Sequence, residues 1–219
     1  MDIYDAMRTT AAVRRFTDDP LPDDVLVRIL DHARFAPSGG NRQGVHVVVV
    51  REQATRAALA ELSKPGARRY TAQKNNGEGP WNPVRPMAVS AEQVAATEVP
   101  AAMIAPLFDA AVVLVVCVDL TVVAAMDQEL PRVGVVAGAS VYPFVWNVLL
   151  AARNEGFGGV LTTMAVAEEP GVKQLLGIPE DYAVAAVVPL GRPEHQVRRL
   201  TRKPVSALAT RERFDGESL

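Results

Sequence analysis

The chain has 219 residues, a length that suits one α/β domain or at most two small ones, and 49% of them are hydrophobic, enough to fill a sizeable core. A net charge of -2, from 23 basic and 25 acidic side chains, argues against a nucleic-acid partner. The single cysteine, Cys117, excludes an internal disulfide framework, and the longest apolar run, near 111–118, is too short to span a bilayer as a helix.

The N-terminus is charged from Asp2 and lacks the basic-then-apolar order of a signal peptide, so a cytoplasmic location is expected. Residues 2–10 suit a short helix. Residues 22–35 suit a firmer one, with Pro22, Asp23 and Asp24 at its first turn and Val25, Ile29, Leu30 and Ala33 on one face. The β-branched run 46–50 predicts a buried strand, and 53–63 an amphipathic helix. Residues 64–100 contain five prolines around Asn75-Asn76-Gly77-Glu78-Gly79 and read as a long loop with a short helix over 91–96. That loop is either an arm over a site or a plain surface insertion. A core strand follows over 111–120, holding Cys117 as a packed thiol. Residues 133–154 then suit a long helix buried on several sides, which Gly156, Gly158 and Gly159 end. A short strand at 160–163, a helix at 170–176, a third core strand at 182–190 and a polar, extended tail complete the chain. Strands with so little polar alternation imply a central sheet covered by helices on both faces.

Four segments carry groups suited to a ligand. Val13-Arg14-Arg15-Phe16 is either a solvated charge pair or a phosphate clamp, because arginine's planar fork matches phosphate oxygens. Ala36-Pro37-Ser38-Gly39-Gly40-Asn41-Arg42-Gln43 joins a helix stop and two glycines to uncharged donors and acceptors, which suits a flat heterocycle or a simple polar turn. Gly156-Phe157-Gly158-Gly159 follows a helix rather than a strand, so it is not a dinucleotide fingerprint, although Thr162 and Thr163 come directly after it. Pro189-Leu190-Gly191-Arg192-Pro193, with Arg202-Lys203-Pro204, is a further candidate anion contact. His32, His46 and His195 are far apart, no ligand set has metal-binding spacing, and no nucleophile elbow or phosphate loop occurs. Any chemistry would then come from a bound cofactor.

Taken together and in order, these segments resemble the FMN-dependent nitroreductase family, from residue 8 to residue 206, with Ala-Pro-Ser-x-x-Asn-x-Gln the most specific of them. The resemblance implies an α+β, three-layer fold: a central, mostly antiparallel sheet flanked by helices, in an intertwined homodimer with the flavin at the subunit interface. It implies one domain over 1–219, with a lid or insertion at about 64–100 and an extended tail at about 191–219. It assigns FMN contacts to Arg14, Arg15, Pro37, Ser38, Asn41, Gln43, Thr162, Thr163 and Arg202, with Arg202 on the phosphate and Thr162 and Thr163 facing ring N5. It implies no catalytic side chain and no metal, since NAD(P)H and a small acceptor (a nitroaromatic, quinone or enone) would visit the flavin in turn. Two departures stand out. Thr10, Ala11 and Ala12 occupy places where many relatives carry Arg-Arg-Ser or Arg-His-Ser, and Gly44-Val45 replaces a frequent Pro-Trp. They keep open a deazaflavin-dependent reductase, or a flavin-binding protein without efficient turnover. Arg68, Arg69 and Arg85 are candidates for a nicotinamide 2′-phosphate.

Overall fold

A computed structural model describes residues 1–219. The centre of the molecule is β2 (Val112–Asp119), in which every residue from Val112 to Val118 is buried. It pairs antiparallel with β1 (Val45–Val50) on one side and β4 (Tyr182–Gly191) on the other. The two-residue β3 (Gly158–Gly159) closes the order β1-β2-β4-β3. The expected sheet, mostly antiparallel with helices on both faces, is the one observed.

Side chains on the two faces of β2 go into separate cores. Val112, Leu114 and Val116 meet α2 (Asp23–Ala33) and α6 (Tyr142–Asn154). Val113, Val115 and Cys117 meet α3 (Gln53–Asn75), α5 (Ala101–Asp109) and α7 (Glu169–Leu176). A bulge in β4, where the register shifts between Val116 and Cys117, inserts Ala185 as an extra residue. Its carbonyl, lost to the ladder, accepts from the Tyr142 hydroxyl at 3.3 Å. The Val184 N–H beside it donates to the Glu169 carboxylate.

Three expectations need correction. The helix expected over 53–63 runs on to Asn75, so the segment after it begins at residue 76 rather than 64 and carries α4 (Ala91–Ala96). Pro65 and Gly66 look like a stop, but Leu59, Ala60, Ala67 and Ala72 are buried on both sides of them, and that burial outweighs one lost hydrogen bond. Gly66 is there for contact: a Cβ would lie 2.3 Å from the Met164 carbonyl of the crossing 3-10 turn Met164–Glu168. The helix expected over 133–154 is α-helical only from Tyr142, after a 3-10 turn over Val136–Ser140. The buried Asp127 carboxylate takes the Val135 N–H at 2.7 Å and also accepts from the Val136 N–H and Arg132, so this backbone is held outside the helix. The ladder expected over 160–163 lies at Gly158–Gly159, with Thr162 and Val187 making a separate bridge.

Helix α1 (Ile3–Thr9) leads into an extended segment that closes the β3 edge. The Val13 N–H donates to the Gly159 carbonyl at 2.9 Å, Phe16 bridges Pro193, and the Thr17 N–H donates to the Arg192 carbonyl at 2.9 Å. The glycine pair makes this approach possible. A Cβ on Gly158 would lie 2.8 Å from Val13, and one on Gly159 only 2.4 Å from the Pro189 carbonyl. No helix is long and apolar enough to cross a membrane.

Candidate active site

Because Val13 and Phe16 are buried against Ala110, the arginines between them are left exposed. Arg14 stands over a cavity of about 430 Å³, a size suited to a small organic ligand. Thr162 and Thr163 form the floor beside β4, and Tyr70, Lys74 and Asn75 of α3 form one wall. No aspartate, glutamate, histidine or cysteine lines it, so Arg14 and Lys74 give it a positive field with no facing carboxylate. A second cavity, of about 450 Å³, shares Tyr70, Thr163 and Met164 with the first and is walled by Trp81.

A separate pocket of about 160 Å³ holds Pro37, Ser38 and Gln43 with Arg34, Ser140 and Phe144. Here the loop before β1 curls tightly. Gly40, Asn41 and Gln43 take φ of 62°, 55° and 52°. The Gln43 N–H donates to the Ser38 hydroxyl at 2.9 Å, and the Gly39 N–H donates to the Ser140 hydroxyl at 3.2 Å. Left-handed backbone at two non-glycine residues carries a strain cost, which these side-chain contacts hold in place. Asn41 is exposed.

Within one chain the expected site residues therefore do not meet. Arg14, Thr162 and Thr163 come together on the α3/α5 face, beyond β4. Pro37, Ser38 and Gln43 come together on the α2/α6 face, at the start of β1. Strand spacing and rise put these corners roughly 20 Å apart. Arg15 is exposed and lines neither pocket. Arg202, also exposed, donates only to the neighbouring Thr201 carbonyl, at 2.8 Å. Thr10, in the place of a frequent phosphate ligand, is buried, and its hydroxyl donates to the Ala6 carbonyl at 2.7 Å as part of the α1 cap.

Sequence reasoning missed Tyr70, Lys74 and Trp81. The first two fell in a stretch taken for loop; their spacing of four residues would have put them on one helical face had the helix been extended. Trp81 carried no motif.

A model of the nitroreductase family matches residues 7–192. A protein of Methanothermobacter thermautotrophicus, provisionally named NADH dehydrogenase/NAD(P)H nitroreductase, is 25% identical over 195 residues, which are 88% of this chain and 78% of that protein. In fold the chain is similar to iodotyrosine deiodinase bound to FMN and 3-iodo-L-tyrosine, with a TM-score of 0.66 at 22% identity over 93% of this chain and 96% of that one. It is similar also to the NADPH:FMN oxidoreductase of Vibrio harveyi complexed with NAD+, with a TM-score of 0.67 at 21% identity over 97% of this chain and 77% of that one.

Proposed function

Because the chain belongs to the nitroreductase family, we propose that it is a cytoplasmic, FMN-dependent oxidoreductase that carries electrons from NAD(P)H to a small oxidised acceptor of nitroaromatic, quinone or enone type. The observation that carries this reading is the cavity under Arg14: cationic, free of carboxylates, and bounded on one side by threonines and on the other by a helix. Such a lining suits an anionic, planar cofactor. Two unpaired cations offer charge-assisted hydrogen bonds, and the threonines and adjacent backbone offer neutral ones. The names of the Methanothermobacter and Vibrio proteins support a nicotinamide donor.

FMN, when bound, supplies the two-electron carrier. The chain's own part is to hold and to exclude. Arg14 and Lys74 would neutralise the cofactor's negative charge, Thr162 and Thr163 would offer it hydroxyls, and Met103, Leu107 and Met164 keep the interior apolar. With no aspartate, glutamate, histidine or cysteine in the lining, the wall's part is to position its ligands. Donor and acceptor then use the same opening in turn, a ping-pong order.

The separation of the two corners supports a homodimer. A partner related by a two-fold axis would bring its own Ser38–Gln43 loop to the Arg14 cavity, which one chain cannot do for itself. Arg202, on a tail with few anchors, would reach the phosphate in the same assembly.

Titration of the protein with FMN, followed by visible absorbance and then by anaerobic NADPH or NADH, tests the reading. We expect saturable binding, bleaching of the flavin bands by nicotinamide, and roughly tenfold to a hundredfold weaker binding in Arg14→Gln, the range of one charge-assisted contact. Bands that persist after nicotinamide would favour a binding protein or a deazaflavin enzyme, and failure to bind FMN would remove the cofactor from the assignment.

A further inference from the structure

Trp81 is an exposed-loop residue with an unusual number of restraints. Its φ of 54° lies in the left-handed region, which is costly for a bulky side chain. Its backbone N–H donates to the Gln73 side-chain oxygen at 3.0 Å, and its indole N–H donates to the Gly66 carbonyl at 3.3 Å. The Arg69 guanidinium carbon lies 3.9 Å from the ring centroid. The loop beneath is pinned as well. The Glu78 carboxylate accepts from Gln73, Asn76 and the Ala88 and Val89 amides, and these contacts, that of Asn76 first, hold its carboxyl below the usual range. The indole is therefore a fixed wall, although it is 42% exposed.

That wall faces the cavity of about 450 Å³ which joins the Arg14 cavity through Tyr70, Thr163 and Met164. No carboxylate lines either space. Arg69 has no carboxylate partner, and its Nε is buried without a hydrogen bond. Anything lying flat against Trp81 would therefore feel a cation within roughly 7 Å, one aromatic thickness beyond the observed stack.

We infer that the Trp81-walled cavity is the acceptor subsite, and that it selects planar aromatic acceptors bearing a negative charge. The assignment rests on the oxidoreductase reading above. Trp81 supplies the flat surface, and Arg69 acts through it as a positioning residue that also supplies the charge preference. The same chemistry could be met by a nicotinamide 2′-phosphate, and the test separates the two.

Calorimetric titration with 4-nitrobenzoate and with neutral 4-nitrobenzyl alcohol, without nicotinamide, reads the subsite independently of turnover. It is run on FMN-saturated protein and, should flavin not bind, on the protein as purified, so that loss of the flavin reading and loss of this one are seen separately. We expect the benzoate to bind about tenfold more tightly, the order of one partly screened charge at that distance. Arg69→Gln should abolish the preference, Arg69→Lys should retain it, and Trp81→Ala should weaken both ligands alike. Equal affinities in the unmodified protein, or a preference that survives Arg69→Gln, would overturn the inference. So would displacement of the benzoate by adenosine 2′-monophosphate, coupled to loss of any NADPH preference in Arg69→Gln, which would give the charge to the nicotinamide.

Discussion

Arg56, Arg28 and Arg14 are arginines with different surroundings, and their partners separate them. Arg56, 5% exposed, donates to the Phe108, Ala110 and Ala111 carbonyls and ties the end of α5 to β2; desolvation holds its pKa below the ordinary arginine value. Arg28 lies between Asp24 and Glu155 on the surface. Arg14 has neither kind of partner and lines the cavity. The adjacent pair Arg14-Arg15 is indistinguishable in sequence; only the extended backbone, pinned by Val13 and Phe16, turns one arginine into the cavity. Cys117 was legible sooner, because a lone cysteine in a β-branched run has few fates but the core. Burial, chiefly, pushes its thiol up to about 11. A raised thiol pKa means the reactive thiolate forms only as pH approaches that value, so at pH 7–9 the folded protein should resist iodoacetamide. Labelling complete within minutes in denaturant but slow in native buffer is the expected outcome, read by intact-mass spectrometry.

At the scale of elements, periodicity revealed what lies against the sheet and missed what is decided by crossings. The strands 46–50, 111–120 and 182–190 and the helix at 22–35 were legible because their patterns record burial, on both faces of 111–120 and on one face of the helix. Helix α3 was cut short because Pro65-Gly66 has a local meaning, stop, and a tertiary one, passage for the Met164 carbonyl, and the second prevails. In the same way Gly158-Gly159 reads as a turn but serves as a strand that another strand must approach closely. Gly159→Ala should therefore cost more than backbone preference alone. We expect a loss of about 1–3 kcal/mol in urea unfolding, with flavin affinity falling further because Arg14 is displaced along with Val13. A variant with unchanged stability and unchanged affinity would show that the crossing has no part in holding the cavity.

At the scale of the molecule, the ligand-suited residues occupy two corners on opposite faces of one sheet. The segments were legible, but their division was not, because sequence order says nothing of which face a loop emerges on. Mixing subunits tests the two-chain reading. Arg14→Ala and the double variant Ser38→Ala/Asn41→Ala should each bind FMN poorly. After unfolding and refolding together, random pairing should restore about a quarter of the sites, since half of the dimers are mixed and each of these has one intact site. No recovery, with both variants folded by circular dichroism, would mean that the two corners do not serve one ligand.

The clasp between the first and last parts of the chain also orders events in time. Residue 13 pairs with residue 159, and residue 16 with residue 193. On a ribosome adding about 5–20 residues per second, the segment bearing Arg14 would wait roughly 10–40 s for the chain that closes it. Until residues 159–163 emerge the cavity under Arg14 has no floor, so on the proposed reading a growing polypeptide would not retain an anionic ligand. On that reading loading would wait for β4, and a product of interrupted synthesis ending before that strand would not hold a cofactor.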